Sequence, residues 1–178
     1  MSSPLADQSS PESVELRLVR VDYGDADAVR LVADVQAEYV LRYGSQDDSP
    51  LDPTMFVPPV GSFYVGYLGD EPVVTGAWRR SEVRVFDTNR TAEVKRMYVA
   101  PGARGRGLAR QVLRHLEECA AAAGYEALVL ETGIKQPEAI SLYESSGYVR
   151  VPGFGYYRDS PLSRCFARRI AGANSDSP

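Results

Sequence analysis

The chain has 178 residues, 44% of them hydrophobic and 25% charged, with a formal net charge of −4 at pH 7. That is one ordinary globular domain's worth of chain, long enough to bury a continuous core. No stretch approaches the ~20 consecutive apolar residues of a membrane helix. Residues 1–13 lack the basic start and apolar run of a secretory leader, so the expected compartment is the cytoplasm, with no membrane partner. Two separated cysteines, Cys119 and Cys165, and a single histidine, His115, exclude a disulfide framework and leave no zinc ligand set.

In chain order, residues 1–13 read as a tail rich in Ser, Pro and acids. Residues 14–21 alternate apolar and polar side chains, as a half-buried strand does. Asp25 can cap a helix reaching about Tyr43, with Val29, Val32, Ala33, Val40 and Tyr43 as its apolar stripe. Residues 45–59 are a polar, Pro-rich loop with a short turn around Met55. Residues 63–68 and 72–80 flank Gly69-Asp70-Glu71 and read as a hairpin. A turn at 87–90 precedes a strand at 92–99. A helix is expected from about Gly105 to Ala123, striped by Leu108, Val112, Leu116, Cys119 and Ala123 and stopped by Gly124. A short buried strand at 127–131 follows, then a helix opened by Pro137 and stopped by Gly147, then strands at 148–151 and 164–170. Residues 171–178 read as a second tail. The order β-α-β-β-β-α-β-α-β-β predicts a single α/β (α+β) domain over 14–170. Its mixed, mostly antiparallel sheet of about six or seven strands is flanked by about four helices. His115 falls inside the second helical pattern, where it reads as an ordinary half-buried residue; a hydrolase triad would require it beside a nucleophile. Cys119 reads as a helix core residue with no thiol chemistry.

Charge is unevenly spread. Residues 1–78 carry 13 acids and 4 bases, whereas residues 79–114 carry 10 bases and 3 acids. A basic middle in an acidic chain suggests a focused site for a small polyanion, and the acidic remainder would repel a nucleic acid. The basic stretch contains Glu93-Val-Lys-Arg-Met-Tyr-Val99 and then Arg104-Gly-Arg-Gly-Leu-Ala109, a strand leading through a Gly-rich turn into a helix start. Free N–H groups and the positive end of the helix dipole make such a turn an anion pocket. Gly105 and Gly107 admit phosphates to the backbone, and Arg104, Arg106 and Arg110 can add charge-assisted bonds. A Walker A loop is excluded because Leu108 follows Gly107, and a dinucleotide fingerprint because Arg110 stands where its third Gly belongs.

Here the chain resembles the GNAT superfamily of acetyl-CoA-dependent N-acetyltransferases. That family's pyrophosphate loop, Arg/Gln-x-x-Gly-x-Gly/Ala, is matched by Arg104, Gly107 and Ala109. A second motif, Ala139-Ile-Ser-Leu142-Tyr143-Glu-Ser-Ser-Gly147-Tyr148, is similar to the family's Ala-x-x-Leu-Tyr-x-x-x-Gly-Phe/Tyr helix and strand. The two motifs span residues 93–151.

The resemblance implies acetyl-CoA as cosubstrate, no metal, and direct attack of an amine in a ternary complex. Met97, Tyr98 and Val99 would lie on the strand that pairs with pantetheine. Residues Arg104, Gly105, Arg106, Gly107, Leu108, Ala109 and Arg110 would cradle the pyrophosphate. Thr132 and Gln136 would also face the cofactor, although the family commonly has Asn where Gln136 stands. Tyr143 matches the tyrosine that protonates the departing thiolate, and Glu93 stands where some members place a general base. The acidic stretch 22–52 and the aromatic loop 153–157 suit a small cationic amine or amino-acid-like acceptor. The alternatives are a protein N-terminus or lysine as acceptor, or a non-catalytic acyl-CoA-binding module. A homodimer is compatible with the sequence.

Overall fold

A computed structural model describes residues 14–170; both expected tails lie outside the described residues. The elements are β1 (Leu16–Val21), α1 (Ala26–Tyr43), β2 (Gly61–Leu68), β3 (Glu71–Ser81), β4 (Thr91–Val99), α2 (Leu108–Ala122), β5 (Ala127–Gly133), α3 (Pro137–Ser145), β6 (Val149–Val151) and β7 (Ser163–Arg169). Short 3-10 turns at Pro53–Phe56 and Pro101–Ala103 complete them. The fold class expected from the sequence is the one observed, with three α-helices among the described residues rather than about four. Among the described residues, no helix is long and apolar enough to cross a membrane.

All seven strands join one sheet in the order β1-β2-β3-β4-β5-β7-β6. Every pairing is antiparallel except β4 with β5, where α2 forms the crossover. Alternation along β2 sends Phe63 and Val65 to one core and Tyr64 to the other. α1 covers the Phe63 face with Ala28, Leu31 and Val35, and α2 covers the Tyr64 face with Val112, Leu113 and Leu116. Each such buried Val, Leu or Phe side chain is worth roughly 1.5–3 kcal/mol in transfer terms.

Local chemistry explains the ends of the helices. The Asp25 carboxylate accepts hydrogen bonds from the N–H groups of Asp27 (2.9 Å) and Ala28 (3.2 Å), and Gly44 closes α1 in a left-handed conformation. The stripe expected on α1 is displaced: Val29 and Val40 are exposed, and the buried face is Ala28, Leu31 and Val35. Apolar residues occur around much of this helix, so its rotation is set by polar ties. Asp27 accepts from the Tyr67 hydroxyl at 2.8 Å, and Glu38 accepts from Arg42 and Arg104. α2 begins at Leu108, three residues later than expected, because Gly105 and Gly107 both adopt positive φ.

The sheet carries one defect of consequence. Thr75 pairs with Tyr98 and Ala77 with Lys95, so Gly76 alone faces Arg96 and Met97. This bulge puts Arg96 at φ +55°. The Thr75 hydroxyl, fully buried, secures it by donating to the Arg96 carbonyl at 2.7 Å. A Cβ on Gly76 would lie 2.5 Å from a Val112 methyl, so α2 rests directly on the strand at this point. Gly76→Ala is expected to destabilise the protein by about 1–3 kcal/mol in urea titrations. Adding Val112→Ala should then cost less than it does in the wild type, because it vacates the same space.

Candidate functional site

The parallel pairing of β4 with β5 runs only from Thr91↔Ala127 to Val94↔Leu130. Beyond it the bulged end of β4 keeps β3 on one side and, among the described residues, has no strand on the other, so its open edge along residues 95–99 faces an opening. The opening is a cavity of about 570 Å³, a volume typical of small-molecule sites. α1 contributes Glu38, Tyr39 and Tyr43 to its wall, and segments 45–47 and 157–163 contribute further lining residues.

Most of the residues singled out in the sequence meet here. Met97, Tyr98 and Val99 line the cavity from β4, and Thr132 and Gln136 line it from the β5–α3 side. Tyr98 offers its backbone, since its ring is buried in the core under α1. Arg104, Gly105, Gly107, Leu108, Ala109 and Arg110 line the mouth. No side chain caps α2, so the N–H groups of its first turn are left for a ligand. Arg106 is exposed and does not line the cavity. Arg104 donates to the Val99 carbonyl at 2.9 Å and to Glu38 at 2.6 Å. Arg42 also reaches Glu38 (2.7 Å) and Glu138 (2.6 Å), so charged side chains link α1, α3 and the turn across the mouth. Arg110 donates to Ser145 and Ser146 at 2.8 and 2.9 Å.

Tyr143 projects from α3 into the cavity wall and is 5% exposed. Its ring packs against Tyr148 and Phe166, with centroids 5.8 and 6.2 Å away. Burial drives its pKa above the ordinary phenol value, so the hydroxyl stays protonated.

Glu93 lies outside the cavity lining. Two nitrogens of Arg79 donate to one of its oxygens at 3.0 and 2.9 Å, and Lys95 approaches the other at 3.7 Å. Of the carboxylates that do line the cavity, Glu38, Asp47 and Glu138 are each paired with an arginine, whereas Glu131, near the end of β5, has no arginine partner among the described residues. Burial raises its pKa to about 7, Lys95 opposes the rise, and the charge of Glu93 adds to it. Its signal in the sequence is a single acid closing an otherwise apolar strand, Ala127-Leu-Val-Leu-Glu131.

The acidic and aromatic segments expected on the acceptor side do converge. Asp47, Tyr39 and Tyr157 line the same cavity as Arg96. Arg96, whose side chain is only 5% exposed, donates to Asp47 at 2.6 Å. Burial alone would raise Asp47, but hydrogen bonds from Ser49 and Arg96 outweigh it and hold the carboxyl at about 2. The Tyr157 hydroxyl accepts from the Asp48 N–H at 2.8 Å. Burial pushes Tyr39 up to about 12. Among the described residues, no group of three or more His, Cys, Asp or Glu side chains is placed to hold a metal ion.

The acetyltransferase (GNAT) family profile matches residues 29–148. An "IAA acetyltransferase" of Azospirillum brasilense is 48% identical over 71 residues, 40% of this chain and 46% of that protein. The uncharacterized N-acetyltransferase YsnE of Bacillus subtilis is 34% identical over 114 residues, 63% of this chain and 72% of that one. The aligned region thus spans less than half of the first relative and about seven-tenths of the second. A Klebsiella pneumoniae crystal structure classed as an acyl-CoA N-acyltransferase superposes with a TM-score of 0.71 at 29% identity, covering 88% of this chain and 99% of that one.

The raised pKa of Glu131 has a consequence for stability. A carboxyl whose folded-state pKa exceeds its unfolded value binds its proton more tightly when folded, so stability falls as pH rises from about 4.5 to about 7. Glu131→Gln removes that loss. Thermal unfolding at pH 8 should show the variant more stable than the wild type, with the difference vanishing near pH 4.

Proposed function

The chain belongs to the acetyltransferase (GNAT) family, and from that premise we propose that it transfers the acetyl group of acetyl-CoA to the primary amine of a small cationic or amino-acid-like molecule. The observation that carries this reading is one cavity lined at its mouth by a Gly-rich helix start and deeper in by a carboxyl near pKa 7 and a protonated phenol.

Acetyl-CoA as substrate supplies an activated acyl carbonyl and a thiolate leaving group. The N–H groups opening α2, with Arg104 and Arg110, suit its pyrophosphate. The edge of Met97–Val99 that faces away from β3 suits an extended amide-bearing arm, since a strand edge offers alternating donors and acceptors. Glu38, which holds Arg104 across the mouth, is the group an incoming pyrophosphate would displace from that guanidinium.

The amine sets the harder requirement. An alkylamine of pKa near 10.4 is neutral in about one molecule in ~2,500 at pH 7, a deficit of ~4.6 kcal/mol. Only the neutral form attacks a thioester. Glu131 is tuned to accept that proton, directly or through a water, near its own pKa. As the C–N bond forms and the C–S bond breaks, Tyr143 gives its proton to the sulfur. Glu93 acts through its charge: held by Arg79, it stays beside Glu131 and keeps that carboxyl basic. Asp47 and the rings of Tyr39 and Tyr157 favour a cationic acceptor by charge and cation–π attraction, and a cavity of this volume suits a small one.

The test is CoA release from acetyl-CoA with a panel of amines. Tyr143→Phe and Glu131→Gln should each lower kcat by roughly 10²-fold or more. In the wild type, kcat/KM should rise with pH through an acid limb near 7, because the base works only when deprotonated. Glu131→Gln should abolish that limb. Glu93→Gln should keep it but move it to lower pH, since a neighbouring negative charge is removed. Loss of the limb in Glu93→Gln with retention in Glu131→Gln would return the base to Glu93. Cofactor binding without release for any amine would favour an acyl-CoA-binding module.

A further inference from the structure

A second group of reactive side chains meets far from the cavity. Cys119 lies ten residues along α2 from Ala109 at the cavity mouth, about 15 Å at the helical rise. One turn before it on the same helix is His115, whose Nε2 is 3.5 Å from the Cys119 sulfur. From β2, the Tyr64 hydroxyl donates to that sulfur at 3.3 Å. The Tyr64 and His115 rings meet edge to face with centroids 4.5 Å apart, which fixes both against the thiol. Tyr64 is buried, while His115 and Cys119 are half-buried and retain a face to solvent.

The Tyr64 hydroxyl, together with His115 when its Nε2 carries a proton, donates to one sulfur and stabilises its anion. The His115 contact pulls Cys119 below the usual thiol range, burial works against this, and the Tyr64 hydrogen bond assists it. Reciprocally, the same contact raises His115 despite burial. Burial, followed by the Cys119 contact, pushes Tyr64 up to about 12, so it remains a donor. The other charged groups near the cluster are Glu118 on α2, which favours imidazolium over thiolate, and Arg20 on β1, which acts on Tyr64. The second cysteine is a built-in contrast: Cys165 is buried on β7, and burial raises its pKa.

We propose that Cys119, His115 and Tyr64 form a reactive-thiol site, separate from the acyl-transfer cavity, at which Cys119 is oxidised by small hydroperoxides. The thiolate attacks one peroxide oxygen. An S–O bond forms, the O–O bond breaks, sulfur loses two electrons, and the peroxide is reduced. The His115 imidazolium protonates the departing oxygen, leaving a sulfenic acid and, from hydrogen peroxide, water. Partial burial favours a small oxidant over a bulky disulfide.

The test is brief exposure of the native protein to hydrogen peroxide with dimedone present, followed by peptide mass mapping. Adduct formation at Cys119 is expected to exceed that at Cys165 by at least tenfold. It should fall at least tenfold in His115→Gln and several-fold in Tyr64→Phe, which keeps the ring and its packing. In the wild type, its rate should reach half-maximum at lower pH than that of the same thiol in the unfolded protein. Equal labelling of the two cysteines, or Cys119 labelling unchanged in both variants, would overturn the proposal. Neither result bears on acetyl transfer, which is read separately by CoA release.

Discussion

Parallel pairing between β4 and β5 stops after four residue pairs, and that termination opens a cavity in an otherwise continuous sheet. The cause is local. One extra residue in β4 opposite Gly76 turns the strand, Arg96 takes a positive φ, and the buried Thr75 hydroxyl holds the turned carbonyl. Past that point β4 keeps a partner on one side only. The Gly-rich turn, the start of α2 and the start of α3 follow the C-terminal ends of these two strands, so they are delivered to the same opening. Binding at the place where neighbouring strands diverge is a general property of α/β sheets, because connections leaving in different directions leave a crevice.

Around this opening the protein buries several charges, and their partners decide what each can do. Arg79 takes Glu93 in an ion pair. Arg96 takes Asp47, which ties the 44–52 loop to the bulge. For Glu131, Lys95 and a hydrogen bond with Ser163 offset burial only in part, so its pKa is raised. Asp47 and Glu131, two carboxylates around one region, thus differ in basicity through their neighbours, as expected where desolvation and pairing compete. The unpartnered Nε of Arg96 is a further sign that this region is not optimised for stability alone.

The sequence was a good guide to the elements and to the mouth of the site. Strands announced themselves by alternation and turns by Gly, and the two motifs between residues 93 and 151 located the cavity's entrance, β4 wall and Tyr143. What it could not convey was direction. The extra residue at Arg96 leaves no mark in local periodicity, since a bulge is defined by the partner strand. Without it Glu93 appears on the strand that faces the substrate; with the register known, Arg79 lies beside it and Glu131 faces the gap instead. The rotation of α1 was misread for a related reason, because polar ties from Tyr67 and Arg104 outweigh small differences in the helix's apolar faces. His115 and Cys119 were visible as neighbours at i and i+4. Their contact acquires chemical meaning only through Tyr64, which is 55 residues distant from Cys119 in sequence.

The short β4–β5 seam has one more consequence. Strands β1 to β4 form one antiparallel block and β5, β7 and β6 another, and four residue pairs join them directly. A ligand lying along the open edge of β4 and touching the β5–α3 side would act as a surrogate strand, completing in non-covalent form a sheet the polypeptide leaves unfinished. Its binding energy would then add to the cohesion between the blocks, by RT ln(1 + [L]/Kd) for a ligand that binds only the folded state. A ligand of that kind would make the protein's resistance to unfolding a gauge of its surroundings, greatest where the ligand is plentiful and least where it is exhausted.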